Sequence, residues 1–182
     1  GFTLVIALDC GIKAVEKVAY AKEKGVDFII CDHHTPDDKL PDAVAVLDQK
    51  REDSTYPYGH LSGCGVGFKL MQAFAIKNGI AFEELIHLLD LLSISIASDI
   101  VPITGENRIL AHYGLKQLNS KPSVGINAMI DICELRGKDI TISDIVFKIG
   151  PRINASGRIR SGKDAVDLMI TKDHETASLW SS

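Results

Sequence analysis

Three side chains with metal-binding or acid–base chemistry directly follow an apolar run in this sequence. Residues 28–38 read FIICDHHTPDD, so Cys31 is followed at once by Asp32, His33 and His34. A short, continuous run rich in β-branched residues predicts a strand that is buried on both faces of a parallel sheet. Because open α/β sheets bind ligands outside the carboxyl ends of their strands, the three side chains predict a functional site there.

A second aspartate is expected at the same edge of the sheet. The opening FTLVIALDCG predicts a strand that stops at Asp9, and residues 13–24 have helical spacing and precede Gly25, a typical residue after a helix end. Strand, helix and strand within about 30 residues form a βαβ unit, whose handedness makes the two strands parallel. Asp9 and His33 should therefore leave the sheet on the same side.

A third aspartate follows the most hydrophobic predicted helix, residues 82–97. Pro102 in the stretch SDIVP should stop this helix, which places Asp99 near the negative end of its dipole. A carboxylate there is disfavoured by a few tenths of a kcal/mol up to roughly 1 kcal/mol, and a bound cation would reverse that penalty. The polar face of the helix is predicted to carry Glu83, His87 and Asp90.

Two further features lie near the middle of the chain. A third apolar run, residues 43–48, again ends in an aspartate, Asp48. The glycines Gly63, Gly65 and Gly67 have the G-x-G-x-G spacing of a phosphate loop, but no strand directly precedes them. Close packing of a helix that begins near Gly65 is the favoured interpretation.

Length and composition allow one sizeable core with a smaller helical lobe. The chain has 182 residues, of which 46% are hydrophobic, and its longest apolar stretch is interrupted by polar residues. With neither a membrane span nor a signal peptide in view, we expect a cytoplasmic protein that does not bind membranes. The cysteines are widely spaced, which favours buried free thiols over zinc ligands or disulfides: Cys10, Cys31, Cys64 and Cys133.

The charge of the chain is unevenly distributed. The formal net charge of −4 by itself argues against a nucleic-acid partner. However, residues 148–163 hold five lysines and arginines and no acid, which leaves −9 for the remainder. This segment therefore predicts a local anion-binding region, although a solvated basic face is the usual explanation for an isolated charge run; its positive residues are Lys148, Arg152, Arg158, Arg160 and Lys163.

The predicted fold class is α/β, a parallel sheet with flanking helices followed by a mostly helical extension. Residues 1–100 should form the α/β part and residues 101–182 the helical extension, which carries GPRINASGR. Helical patterns occupy 105–119, 124–137 and 142–149, and another begins at 164. Three strands are few for an independent sheet, so we expect further strands from upstream sequence.

With these features placed, the chain resembles the DHH-family phosphoesterases, and within them the RecJ-type single-strand DNA exonucleases. Five motifs carry the resemblance and run in family order along the chain: ALDCGI, CDHHTP, LSGCGVGFKL, SDIVPITGENR and IGPRINASGR. The resemblance implies a two-ion site, normally Mn²⁺ or Mg²⁺, that hydrolyses phosphodiesters.

The resemblance also implies roles for individual residues. Asp9, His33 and Asp99 are expected to be metal ligands, with Asp9 shared by both ions. Asp32 is expected to orient a ligand and His34 to contact the scissile phosphate. Carboxylate oxygens with one imidazole suit Mn²⁺ or Mg²⁺, and two ions about 3.5 to 4 Å apart stabilise charge on a phosphate.

Three functions compete on the sequence alone. The first is a 5′-to-3′ exonuclease on single-stranded DNA in recombination and repair, for which Arg152, Asn154 and Arg158 would hold DNA phosphates. The second is a DHH phosphoesterase for small substrates such as short oligonucleotides, nucleotide phosphates, cyclic dinucleotides or pyrophosphate. The third is a degenerate binding module, which the intact metal motifs disfavour. Taken singly, Asp9 and Asp32 also fit helix caps or turns, and either histidine fits an ordinary polar residue.

The family pattern departs at both ends of the chain. An Asp-rich motif that supplies further carboxylates is expected upstream of Gly1, and a DNA-clamping domain is expected beyond Trp180. We therefore expect weak Mn²⁺ binding and poor turnover from the chain alone. The sequence carries no motif that identifies a protein partner.

Overall fold

The computed structural model describes residues 1–159, 162–173 and 177, without the side chains of residues 156–159. Its contacts divide the chain into two compact units. The first unit comprises Gly1–Ala81 and Val101–Asn107. The second comprises Phe82–Ile100 and the described residues from Arg108 onwards. Within the described part of the chain, none of the helices combines the length and the apolar character needed to cross a membrane.

The first unit is built on a three-stranded parallel sheet, as predicted. Its strands β1 (Leu4–Leu8), β2 (Asp27–Cys31) and β3 (Ala45–Leu47) lie in the order β1-β2-β3. Helix α1 (Val15–Glu23) connects β1 to β2, and Gly25 follows it with a φ of 72°, the left-handed conformation expected after a helix end. The register pairs Leu8 with Cys31, so Asp9 and Asp32 both follow the carboxyl ends of neighbouring strands.

The strand that was predicted to be buried, β2, is the central strand of the sheet. In β2, Ile30 and Cys31 are completely buried, whereas Leu4, Ile6 and Leu8 of β1 are 45%, 50% and 54% exposed. Alternate side chains of a strand point to opposite faces of the sheet, and β1 lies at the edge of the three described strands. Leu4, Ile6 and Leu8 therefore lie on the exposed face of this edge strand.

Helix α2 (Gly63–Lys77) packs closely against the sheet through its glycines. Ser62 caps the helix, because its hydroxyl accepts a hydrogen bond from the N–H of Gly65 at 3.1 Å. A Cβ atom at Gly67 would lie 3.0 Å from Leu8 Cδ2. The glycine-rich stretch thus serves close helix packing, which confirms the favoured interpretation.

The second unit is helical. Its elements are a 3₁₀-helix (Phe82–Leu88), α3 (Leu89–Ser98), α4 (Gly105–Ser120, which begins in the first unit), α5 (Val124–Ile132), α6 (Ile142–Asp144), a π-helix (Ile145–Ile149), α7 (Gly150–Ile159) and α8 (Gly162–Ile170). Among the fully buried residues of its core are Leu118, Ile126, Ile145 and Ile149.

The unit boundary differs from the predicted division at residue 100. Helix α3 places Ile94 and Ala97 in the core of the second unit, so residues 82–100 pack with it. Residues 101–107 pack with the first unit, where the side-chain amide of Asn107 donates to the carbonyl of His60 at 2.6 Å.

The prediction of one amphipathic helix over 82–97 was wrong in two respects. The first two turns are a 3₁₀-helix, and Asp90, expected on the polar face, is fully buried. The Asp90 carboxylate accepts hydrogen bonds from the N–H groups of Leu91 at 2.6 Å and Ser123 at 2.7 Å. Its position in the first turn of α3 also suits a carboxylate, because the positive end of the helix dipole lies there.

The basic segment is helical rather than a loop. Arg152 and Asn154 lie in α7, directly after the π-helix. Proline and glycine are turn signals, but here Pro151 lies in a continuous helical run, directly after the wider turn of the π-helix. The burial of Ile145 and Ile149 anchors this helical run to the core of the second unit.

The cysteines are not disulfide-bonded, but only two of them are buried. Cys31 and Cys133 are buried, whereas Cys10 and Cys64 are exposed. The expectation of four buried thiols was wrong for the latter two, because Cys10 follows Asp9 beyond the end of β1 and Cys64 lies on an exposed position of α2.

Candidate metal centre

Asp9 is the first residue beyond β1 and holds a left-handed backbone conformation. Its φ is 62°, and its N–H continues the sheet by donating to the carbonyl of Cys31 at 2.8 Å. Aspartate tolerates this conformation better than most residues that have a side chain. The turn directs the carboxylate to the ring of His33, where Oδ1 lies 3.1 Å from Nε2.

His33 is oriented by a backbone carbonyl. Its Nδ1 lies 3.2 Å from the oxygen of Leu61, and since a carbonyl only accepts hydrogen bonds, Nδ1 must carry the hydrogen. In the neutral ring the lone pair of Nε2 therefore faces the Asp9 carboxylate, another electron-pair donor. Two facing donor atoms require a proton or a metal cation between them, and a histidine whose second nitrogen donates to a carbonyl is the usual arrangement of a metal ligand.

Asp32 lies beneath the histidines and is only 1% exposed. Its carboxylate accepts hydrogen bonds from the N–H of Ile12 at 2.9 Å, the N–H of His33 at 2.8 Å and Nδ1 of His34 at 2.7 Å. Burial by itself would raise the pKa of Asp32, but these hydrogen bonds outweigh burial and hold the pKa below its usual range. Asp32 is therefore a fixed anion that orients the turn.

His34 presents its other ring nitrogen away from Asp32. Because the Asp32 carboxylate accepts from Nδ1, Nε2 is the atom left to contact a ligand, and the side chain is exposed. The rings of His33 and His34 meet edge to face, with centroids 4.6 Å apart. One ligand atom from each of Asp9, His33 and His34 lies within 4.8 Å of the others.

The donor atoms fit a hard divalent cation. With His34 facing the substrate side, Asp9 supplies a carboxylate and His33 the one imidazole, and without a thiolate in the cluster this set suits Mn²⁺ or Mg²⁺ better than structural zinc. The half-exposed Asp9 carboxylate leaves room for water and substrate oxygens.

Gly63 allows the Asp9 carboxylate to take this position. A Cβ atom at Gly63 would lie 2.0 Å from Asp9 Oδ1 and 2.6 Å from Asp9 Cβ, a distance that no packing tolerates. The sequence pattern predicted helix packing for the glycines and did not connect Gly63 with Asp9. The roles of the Leu61 carbonyl and the Ile12 N–H were missed as well, because backbone groups leave no trace in residue types.

The chain matches the N-terminal domain of the DHH family over residues 3–96, a little more than half of its length. This chain belongs to the DHH family. The match includes Asp9, the Asp32–His34 tripeptide and Gly63, so the predicted family resemblance is confirmed.

Relatives within the DHH family point to a narrower group. The chain is 40% identical over 176 residues to the single-stranded-DNA-specific exonuclease RecJ of Bacillus subtilis, covering 95% of this chain and 21% of the relative. The crystal structure of RecJ from Thermus thermophilus in complex with Mn²⁺ matches 98% of this chain and 26% of that chain, with a TM-score of 0.86 and 28% identity. The Mg²⁺ complex of the same protein matches with a TM-score of 0.74 and 25% identity, covering 98% of this chain and 24% of that one. The chain thus spans about a fifth to a quarter of these relatives.

The remaining predicted ligand of this DHH-family chain, Asp99, lies in the second unit. It follows α3 as an exposed residue, and its N–H donates to the carbonyl of Ser95 at 2.9 Å. Its role as a metal ligand stays a prediction.

The predicted phosphate-binding residues also lie in the second unit. Arg152 and Asn154 are exposed on α7, but residues two apart in a helix do not face each other, so the helix separates them. The side chain of Arg158 lies outside the described part of the structure, as does all of Arg160. Phosphate binding by Arg152, Asn154 and Arg158 stays a prediction.

We expect Asp32→Asn to destabilise the protein in a pH-dependent manner. An amide has one acceptor oxygen instead of two, so the buried N–H of Ile12 would lose its partner, a loss of about 1–3 kcal/mol. A carboxylate whose pKa is lower in the folded state stabilises that state above its unfolded pKa of about 3.9, and this stabilisation is lost as pH falls through the folded pKa. Urea unfolding from pH 7 down to pH 2 measures the effect.

The gap in unfolding free energy between wild type and Asp32→Asn should be widest above about pH 5 and should narrow as pH falls below about 4. Asp38→Asn, at an exposed acid of the same loop, is the control. A gap that stays constant over this range would show that Asp32 is not ionised in the folded protein.

Proposed function

We propose that this chain carries the metal-binding part of a single-strand-specific DNA exonuclease that hydrolyses phosphodiesters in the 5′-to-3′ direction during recombination and repair. The observation that carries the proposal is the convergence of the Asp9 carboxylate and His33 Nε2, 3.1 Å apart, beside His34. The RecJ relatives, which are named as single-stranded-DNA-specific exonucleases, support the substrate class.

In this proposal Asp9 and His33 hold Mn²⁺ or Mg²⁺, and Asp99 joins them as a further ligand. Such ions stabilise negative charge on the phosphate and activate water near neutral pH. The protein fixes the ligands: the Leu61 carbonyl sets the tautomer of His33, and Gly63 leaves space for the Asp9 carboxylate.

In this proposal His34 contacts the scissile phosphate, and Asp32 positions the ring of His34. Asp32 accepts the hydrogen of His34 Nδ1 at 2.7 Å, which fixes the ring and leaves Nε2 to contact a phosphate oxygen. Asp32 is thus a positioning residue. Arg152, Asn154 and Arg158 are proposed to bind neighbouring phosphates, where a guanidinium can form bidentate contacts.

The experiment that tests the function compares substrates in the presence of Mn²⁺. We expect hydrolysis of single-stranded DNA to exceed that of the same sequence as a duplex, and EDTA to abolish it. Cleavage of dinucleotides without cleavage of longer strands would instead favour a phosphoesterase for small substrates. The same assay measures whether the chain alone turns over poorly, which stays a prediction.

In the complete protein, Arg158→Ala should weaken binding of single-stranded DNA and leave Mn²⁺ affinity nearly unchanged. Loss of one phosphate contact reduces the slope of log K against log salt concentration by about 0.7. His33→Ala is the matched opposite, because it should weaken Mn²⁺ binding and largely retain the salt slope. Wild-type DNA affinity and slope in Arg158→Ala would mean that this arginine belongs to a solvated basic face.

A further inference from the structure

A cleft of about 690 Å³ in the first unit includes the proposed metal ligand Asp9 and runs beside the turn between β1 and α1. Asp32 and His34 line it together with residues 10–17. A volume of this order is typical of pockets that hold small molecules. Two lysines of residues 10–17 supply ammonium groups to the lining, so the cleft offers positive charge to an anion next to the metal centre.

One of these lysines, Lys13, already holds an anionic oxygen on the loop that follows the histidines. Its Nζ donates to Oδ1 of Asp37 at 2.7 Å, and Asp37 is the third residue after His34. Both side chains of this ion pair are more than half exposed. Exposed ion pairs contribute little to stability, because water and salt screen them. A phosphate can therefore replace Asp37 as the partner of Lys13 at a small cost.

The backbone beside Lys13 and the ring of His34 are held by the same carboxylate. Asp32 accepts the N–H of Ile12 at 2.9 Å through Oδ2 and Nδ1 of His34 at 2.7 Å through Oδ1. The side chain of Ile12 is buried, which anchors the turn further. The backbone of Lys13 is therefore fixed relative to His34, while its exposed side chain can change partners.

We propose that Lys13 binds a backbone phosphate of single-stranded DNA in this cleft, and that Asp37 competes with the DNA for its ammonium group. The inference rests on the proposed function, from which it takes the substrate class. Phosphate oxygens accept hydrogen bonds from an ammonium group as the Asp37 carboxylate does. Neutralising a DNA phosphate also releases condensed counterions, a gain that the pair with Asp37 does not give.

Binding of an oligothymidylate to the complete protein in EDTA tests the phosphate contact, because no metal takes part and no strand is cleaved. Lys13→Ala should reduce the slope of log K against log salt concentration by about 0.7 and weaken binding several-fold at low salt. Lys13→Arg keeps the positive charge and should retain the wild-type slope. Because the side chain is more than half exposed, the unfolding midpoint should stay at its wild-type value.

The matched control is a second exposed ion pair, at the far end of α1 from Lys13. Lys22 donates to Asp42 at 2.6 Å, and both side chains are more than half exposed. Neither residue lines the cleft. Lys22→Ala makes the same change in charge as Lys13→Ala and should leave the salt slope at its wild-type value.

Asp37→Asn tests the competition. It should strengthen binding of the oligothymidylate by about 2- to 5-fold, because it removes an exposed ion pair of that order of strength. Combined with Lys13→Ala it should have no effect on affinity, since the ammonium group that it frees is absent. Asp42→Asn removes the same charge outside the cleft and should have no effect in either background.

A wild-type salt slope and affinity in Lys13→Ala would overturn the proposal. An equal gain from Asp37→Asn with and without Lys13 would also overturn it, because Asp37 would then act on DNA through its charge alone. Equal affinity of the wild-type protein for single-stranded and duplex DNA would refute the proposed function instead, and the coupling between Lys13 and Asp37 would still report a phosphate contact.

Discussion

Asp9→Asn is expected to raise the dissociation constant for Mn²⁺ by about 100-fold or more, since loss of an orienting group outside the ligand shell already reduces metal affinity by about 10–100-fold. The substitution removes the only carboxylate of the Asp9–His33–His34 cluster. Asparagine tolerates a φ of 62° as aspartate does, so the backbone turn should survive. Electron paramagnetic resonance of free Mn²⁺ during titration gives the affinity directly.

The matched control for Asp9→Asn is Asp38→Asn, which removes one negative charge from an exposed position outside the cluster. It should bind Mn²⁺ as wild type does. If both variants weakened binding equally, general charge would explain the effect, and Asp9 would not be a ligand. Urea unfolding of Asp9→Asn should lie within about 1 kcal/mol of wild type, because the side chain is half exposed.

Gly63→Ala is expected to weaken Mn²⁺ binding by at least about 10-fold, although residue 63 supplies no ligand atom. Its Cβ would lie 2.0 Å from Asp9 Oδ1, so the carboxylate must leave its position beside His33. Helix propensity alone would predict a stabilisation of about 0.5–1 kcal/mol for Gly→Ala in a helix. The clash should reverse this sign and lower the free energy of unfolding by about 1–3 kcal/mol.

Gly59→Ala is the control for Gly63→Ala, because a Cβ at Gly59 would meet no atom within 4 Å. Manganese titration and urea unfolding should give wild-type values for it. Wild-type Mn²⁺ affinity in Gly63→Ala would contradict the proposed centre, since it would mean that the position of the Asp9 carboxylate beside His33 is not needed.

The sequence by itself determined the frame of the metal centre. Apolar runs of strand length that end in Asp9 and Asp32, joined by one helix, lead to parallel strands whose carboxyl ends meet at one edge. This result depends only on local patterns and on the handedness of βαβ units. It is sufficient to bring Asp9, His33 and His34 to one edge of the sheet.

Other features were decided by tertiary packing. An edge strand and a central strand have the same apolar composition, so the exposure of Leu4 and Ile6 could not be distinguished from the burial of Ile30. Asp90 was predicted on the polar face of a helix, but it is buried, and its carboxylate accepts hydrogen bonds from the N–H groups of Leu91 and Ser123. The helix at Pro151 and Arg152 contradicts local turn signals, because the buried neighbours Ile145 and Ile149 anchor it.

The contacts that complete the metal centre also depend on the tertiary structure. Gly63 and Asp9 are far apart in sequence, and only packing of α2 on the sheet shows that one must lack a Cβ so that the other can face His33. Residue types state which groups can donate or accept, but only the fold decides which of them remain unpaired, because pairing is a property of neighbours in space.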